Sequence, residues 1–165
     1  MISASPSVRR LISYGVKARR DIERLARIED IPGGDMLGGY CAIGSRYLAV
    51  MAEDLRPTFC LGTFSEYTRI TDRYKMVSGH AWLELDGYIV DITASQFTHI
   101  HSKVARNFGQ KVYVSRANNP HYKKTHSGAA ALKMVAKWHE MSLDDLCIKV
   151  QALAAPQRKL RHVEA

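Results

Sequence analysis

The stretch Gly79-His-Ala-Trp-Leu-Glu-Leu-Asp-Gly-Tyr-Ile-Val-Asp-Ile-Thr93 decides how the rest of the chain must fold. Two β-prone runs, 80–85 and 88–93, flank Asp86-Gly87, and Asp-Gly in that position is a strong signal for a two-residue hairpin turn. The sequence therefore predicts two antiparallel strands. Their expected register is Leu85–Tyr88, Glu84–Ile89, Leu83–Val90 and Trp82–Asp91.

This register places His80 and Asp91 on the same face of the hairpin. They are diagonal neighbours with β-carbons ~7 Å apart, so an imidazole and a carboxylate can meet. The opposite face is apolar and can pack on a core. Its members are Ala81, Leu83, Leu85, Tyr88, Val90 and Ile92.

Upstream, a breaker-rich loop over 31–40 contains four glycines and one proline and delivers the chain to Cys41. Apolar residues then recur at helical spacing until Pro57, which predicts a helix with Cys41 in its first turn. Free backbone N–H groups at a helix start favour a thiolate. Cys41 is therefore the expected nucleophile, with His80 as its base and Asp91 orienting the histidine. The backbone N–H of Cys41 is one expected oxyanion donor, and the sequence does not identify a second.

Gly38-Gly-Tyr-Cys41 before a helix, followed by the hairpin stretch quoted above, resembles the transglutaminase-like, papain-related superfamily. The resemblance covers roughly Gly38 to Phe97, about a third of the chain. It implies an α+β fold in which a nucleophile-bearing helix packs on a small antiparallel sheet, with Cys41, His80 and Asp91 at the catalytic positions. Tyr40 and Trp82 are assigned to substrate binding, with packing beside the site as the other reading of Trp82.

The remaining elements complete a single domain over 1–156, with a frayed basic tail at 157–165. The expected pieces are a first helix from Ser5-Pro6 to about Glu29, a short strand 58–64, an irregular strand or long loop over 65–79, a strand 111–114, and a closing helix or broken pair of helices.

Composition sets the broad class. The chain has 165 residues, 46% hydrophobic and 24% charged, as in an ordinary globular protein. Three scattered cysteines suit a reducing compartment, so a cytoplasmic location is expected, with an organelle transit peptide at the Arg-rich start as the alternative. No membrane span and no cofactor are expected. A zinc site is disfavoured because the histidines lack metal-like spacing apart from the pair His99 and His101.

The net charge of +8 is concentrated between Asp91 and Glu140, where no acidic residue occurs. The basic residues of this stretch are Lys103, Arg106, Lys111, Arg116, Lys123, Lys124, Lys133 and Lys137. Such a surface can attract nucleic acid or an acidic partner. Tyr113 and Tyr122 lie among these residues, but two aromatics do not make a base-stacking platform.

These observations predict a cysteine-dependent acyl-transfer enzyme that acts on a peptide or protein amide through a thioester. Hydrolysis is favoured over transfer to an amine because water is always present. The alternative is a non-catalytic binding module that uses the basic 92–139 region for nucleic acid or an acidic partner. A third reading, an arylamine acetyltransferase-like enzyme, shares the order of the triad but belongs to longer chains.

Overall fold

Four α-helices and a five-stranded antiparallel sheet make up the computed structural model, which describes residues 4–29, 39–97 and 110–154. The helices are α1 (Pro6–Glu29), α2 (Cys41–Met51), α3 (Gly128–Trp138) and α4 (Leu143–Ala154). The strands are β1 (Thr58–Thr68), β2 (Arg73–Leu85), β3 (Tyr88–Asp91), β4 (Tyr113–Arg116) and β5 (Tyr122–Ser127). Two 3₁₀ helices cover Glu53–Leu55 and Ala94–Phe97. The predicted α+β class is confirmed at this level.

The strands lie in the order β4-β3-β2-β1-β5, so the predicted hairpin occupies the middle of the sheet. Because side chains alternate along a strand, each strand contributes to two separate clusters. The larger cluster joins the helices to the sheet through residues such as Leu48, Leu61 and Leu83. A smaller, largely aromatic cluster lies on the other face and includes Phe64 and Trp82. Both faces of the hairpin are covered.

The first helix begins where its sequence predicts. Ser5 precedes Pro6, and its Oγ accepts a hydrogen bond from the backbone N–H of Val8 at 3.2 Å, as expected for an N-cap serine. The helix runs to Glu29, as predicted. The second helix is shorter than expected. It ends at Met51 rather than at Pro57, and the intervening residues form a 3₁₀ turn followed by Arg56 in the left-handed conformation.

The turn between β2 and β3 has positive φ at both Asp86 (50°) and Gly87 (76°), as a type I′ hairpin requires. Three of the four expected pairs form: Leu85–Tyr88, Glu84–Ile89 and Leu83–Val90. The expected pair Trp82–Asp91 is wrong, because β3 leaves β2 at this point and Asp91 pairs with Tyr113 of β4 instead.

Other differences lie in the polar parts of the chain. The stretch Ser65–Gly79 is strand rather than a long loop: β1 continues to Thr68 with a register shift between Phe64 and Ser65, turns, and returns as β2. The tract after Asn118-Asn-Pro120 contains β5, which the sequence analysis missed, and the β4 strand lies two residues later than expected. Of the two alternatives for the closing region, the structure shows the pair of helices, α3 and α4, rather than one helix. Most of the 31–40 loop, His99, His101, Lys103, Arg106 and the 157–165 tail lie outside the described residues.

Candidate active site

His80 and Asp91 form a hydrogen-bonded pair inside the protein. Nε2 of His80 lies 2.6 Å from Oδ2 of Asp91, and neither residue has solvent-exposed surface. The structure thus brings together the two residues that the hairpin register placed on one face. Since a buried charge needs a partner, the charge state of each depends on the other.

Asp91 accepts hydrogen bonds on both of its oxygens. Oδ1 accepts from the backbone N–H of Thr93 at 2.8 Å and from its hydroxyl at 3.0 Å, while Oδ2 accepts from the hydroxyl of Tyr122 at 2.9 Å as well as from His80. Burial alone would raise the pKa of Asp91, but His80 and these donors outweigh it and lower the pKa below its ordinary value. The residue is therefore a fixed carboxylate.

The pKa of His80 moves in the opposite direction. Burial disfavours the imidazolium, but the charge and hydrogen bond of Asp91, with a further hydrogen bond and charge from Cys41, raise the pKa of His80 to about 10. The ring therefore carries a proton at neutral pH. Asp91 engages Nε2, so Nδ1 is the ring nitrogen left for the interaction with Cys41.

Cys41 is the first residue of α2, where backbone N–H groups have no partner within the helix. It is half-buried and not in a disulfide. One turn further on, Ser45 donates a hydrogen bond from Oγ to the carbonyl oxygen of Ala81 at 3.1 Å. Ala81 is the neighbour of His80, so this bond anchors the Cys41 face of the helix beside the histidine.

The first turns of α2 lie beside the point where the pairing between β2 and β3 ends. Ala81 lies two residues before Leu83 on β2, so the carbonyl groups of both residues point towards the β3 side. β3 no longer pairs with β2 at Ala81, and the carbonyl oxygen of Ala81 accepts the hydrogen bond from Ser45 instead. A Cβ on Gly44 would lie only 3.3 Å from Cγ2 of Thr93, which shows how closely the helix approaches the end of β3. The absence of the Trp82–Asp91 pair thus leaves room for the start of the helix that carries Cys41.

Gln96, which sequence analysis did not single out, also reaches the histidine. Its Nε2 lies 3.4 Å from Nδ1 of His80 and donates to the carbonyl oxygen of Thr93 at 3.0 Å. Gln96 belongs to the 3₁₀ helix Ala94–Phe97, which follows Asp91. The sequence feature that could have identified Gln96 is its position as a polar residue shortly after Asp91.

Aromatic side chains surround the imidazole. The ring centroids of Phe97 and Tyr122 lie 4.9 and 5.9 Å from that of His80, and Trp82 stacks at 6.0 Å. Trp82 is fully buried and Tyr40 is 2% exposed. Both side chains are therefore buried, and Trp82 packs against His80. Tyr122 is also buried, and its hydroxyl donates to Asp91.

Among residues 4–29, 39–97 and 110–154, no group of three His, Cys, Asp or Glu side chains is arranged to hold a metal ion. None of the helices in these ranges is long and apolar enough to cross a membrane.

The acid-free basic stretch is partly engaged with the protein itself. Lys124 pairs with Glu84, Lys111 with Glu23, and the guanidinium of Arg116 lies 4.2 Å above the ring centre of Tyr88. Lys123, Lys133 and Lys137 have exposed side chains on β5 and α3. The basic residues that the structure describes are thus spread over several elements.

Comparison of the chain with protein-family models, with curated proteins and with solved structures gives no match.

Proposed function

We propose that the protein is a cysteine-dependent acyl-transfer enzyme of transglutaminase-like type, which acts on an amide of a peptide or protein substrate. The observation that carries the proposal is the position of His80, with Asp91 bonded to one ring nitrogen and Cys41 interacting with the ring as well. The chain order also supports it, because a nucleophile at a helix start precedes a histidine and an aspartate on adjacent strands.

The first half of the reaction forms a thioester. Cys41 Sγ attacks the carbonyl carbon of the amide, the electron pair of the carbonyl moves to oxygen, and the C–N bond then breaks as the leaving nitrogen takes a proton from Nδ1 of His80. Asp91 holds the ring in the required orientation and stabilises its positive charge. Cys41 is half-buried whereas His80 and Asp91 are fully buried, so a substrate can reach the nucleophile while the proton-transfer pair stays shielded from water.

The second half returns the enzyme to its starting state. His80, now neutral, takes a proton from a water molecule as the water oxygen attacks the thioester carbon. The C–S bond then breaks, the carboxylic acid is released, and the thiolate of Cys41 is regenerated. An amine in place of water would give transamidation by the same steps. We favour hydrolysis, because water is present at every turnover and no element among the described residues marks a site for a second substrate.

Alkylation of Cys41 by iodoacetamide tests the proposal. At pH 6, where an ordinary thiol is almost entirely protonated, Cys41 should react at least ~10-fold faster in the wild type than in His80→Gln. Mass spectrometry of the labelled peptides separates Cys41 from Cys60 and Cys147. His139→Gln is the matched control, because His139 is an exposed histidine outside the site. A wild-type pH profile like that of free cysteine, unchanged in His80→Gln, would contradict the proposal.

A further inference from the structure

The side chain of Gln96 is held in place from two directions. Its Nε2 donates to the carbonyl oxygen of Thr93 at 3.0 Å, and its backbone N–H donates to the same oxygen at 3.1 Å. Because Thr93 O is an acceptor, the amide must present nitrogen rather than oxygen on this side. The second hydrogen of that nitrogen is then available on the side of His80, 3.4 Å from Nδ1.

The segment that carries Gln96 is itself fixed by α1. Arg19 is 4% exposed, and its Nη1 donates to the carbonyl oxygen of Ile92 at 2.6 Å and to Oγ of Ser95 at 2.7 Å. Its Nε pairs with Glu23 at 2.8 Å. A buried guanidinium with several partners orders the backbone between Asp91 and Gln96 before any substrate arrives.

From this geometry we infer that Gln96 is a catalytic residue, which donates a hydrogen bond from its side-chain amide to the oxyanion formed when Cys41 attacks the substrate. The inference rests on the proposed function. Two donors would then act on that oxygen: Nε2–H of Gln96 and the backbone N–H of Cys41 in the first turn of α2. The second donor that an acyl-transfer site needs, which the sequence did not identify, is thus supplied from the segment following β3.

The protonation of His80 explains why this bond would be stronger in the transition state than before it. While Nδ1 carries a proton, it offers no lone pair to the amide of Gln96. Attack by Sγ forms the S–C bond and places a negative charge on the carbonyl oxygen beside the same amide, which then gains an acceptor. When the C–N bond breaks, the proton of Nδ1 leaves with the nitrogen and the oxygen returns to a carbonyl. A donor that gains its partner only during the reaction lowers the barrier.

Two probes separate oxyanion stabilisation from an effect on the thiol. Iodoacetamide alkylates sulfur by displacement at a saturated carbon, without an oxyanion, whereas p-nitrophenyl acetate acylates sulfur through a tetrahedral oxyanion. The variant is Gln96→Met, which keeps the length of the side chain and removes its N–H groups. Acylation, followed by release of p-nitrophenolate over a Cys41→Ala blank, should slow by about 10²–10³-fold, and alkylation should change less than about twofold.

Gln151→Met is the matched control, since it removes the same side-chain amide at an exposed position of α4 outside the site; it should leave both rates unchanged. If Cys41 is acylated at the same rate in Gln96→Met as in the wild type, the inference is overturned while the proposed function stands. If acylation and alkylation fall together, Gln96 acts through His80 and is not an oxyanion donor. If instead Cys41 is alkylated at the same rate in the wild type and in His80→Gln, the proposed function itself is overturned.

Discussion

At the scale of single residues, the site is a chain of hydrogen bonds that keeps one positive and one negative charge inside the protein. Asp91 has four donors, and two of them come from Thr93 alone. A carboxylate with this many donors stays ionised even where no water reaches it. Its charge in turn keeps the proton on His80, against the effect of burial.

This pair predicts a pH dependence of stability. The folded state raises the pKa of His80 to about 10, whereas an unfolded histidine titrates near ~6.5. The contribution of His80 is therefore fully present below the unfolded value and is lost as pH rises through the folded one. In Cys41→Ala, where no thiol can give up a proton beside His80, the free energy of unfolding should fall by up to about 1.4 kcal/mol per pH unit between pH 6.5 and 8.

Urea unfolding at several pH values measures this slope. The window ends at pH 8 because burial raises the pKa of the Cys60 thiol to about 12, which adds a slope of the same sign once unfolded thiols ionise. Added to Cys41→Ala, His80→Gln should remove the slope, and His139→Gln should leave it unchanged. An equal slope in Cys41→Ala and in Cys41→Ala with His80→Gln would show that the buried pair is not the source. Asp91, with its lowered pKa, adds a loss of stability only in acid, as pH falls from its unfolded value of ~3.9.

At the scale of elements, β5 holds Tyr122 against Asp91, and its pairing with β1 depends on one glycine. The register between the two strands shifts between Leu61 and Gly62. A Cβ on Gly62 would lie 2.0 Å from the backbone carbonyl oxygen of Lys123, and backbone cannot swing aside as a flexible side chain can. Gly62 also pairs with His80 of β2.

Gly62→Ala should therefore force β1 and β5 apart and lower the free energy of unfolding by at least about 2 kcal/mol, measured by urea denaturation at constant pH. Loss of the Tyr122–Asp91 hydrogen bond should accompany this change. Gly79→Ala is the matched control on the neighbouring strand, because its Cβ would meet only the ring of Trp138 at 3.4 Å. A Gly62→Ala protein as stable as Gly79→Ala would contradict the strand packing described above.

The same elements show which parts of the site the sequence could predict. Asp86-Gly87 fixes the turn locally, so the parity that places His80 beside Asp91 follows from counting residues. The partners Tyr122 and Gln96 could not be found in this way. Tyr122 lies 31 positions from Asp91 on a strand that reads as an irregular polar tract, and its place depends on the long-range pairing of β1 with β5.

The end of the hairpin shows a second limit. Extrapolating the register by one pair predicted Trp82 opposite Asp91, but that pair is replaced by the start of α2. Local turn chemistry carries no information about a helix that arrives from forty residues upstream. The divergence of β3 from β2 is nevertheless what gives Cys41 its place, so the wrongly predicted pair lies at the proposed active site.

At the scale of the whole molecule, the two clusters on opposite faces of the sheet share β1, β2 and β3. Neighbouring residues of one strand belong to different clusters: Phe59 and Leu61 pack on the helix side, and Cys60 packs on the aromatic side. Melting of either cluster would remove the support of the strands that form the other. The site, at the junction of α2 with β2, β3 and β5, therefore has no independent folding unit of its own.

This arrangement predicts one cooperative unfolding transition over the described fold. The chain has two tryptophans, Trp82 fully buried beside His80 and Trp138 with 55% of its surface exposed. In Trp138→Phe, fluorescence reports on Trp82 and the aromatic cluster alone, while far-ultraviolet circular dichroism reports mainly on the helices of the other face. The two urea curves should coincide, as two-state unfolding requires. A fluorescence midpoint at lower urea than the dichroism midpoint would show that the aromatic face, and with it the His80–Asp91 pair, opens while the helical face remains folded.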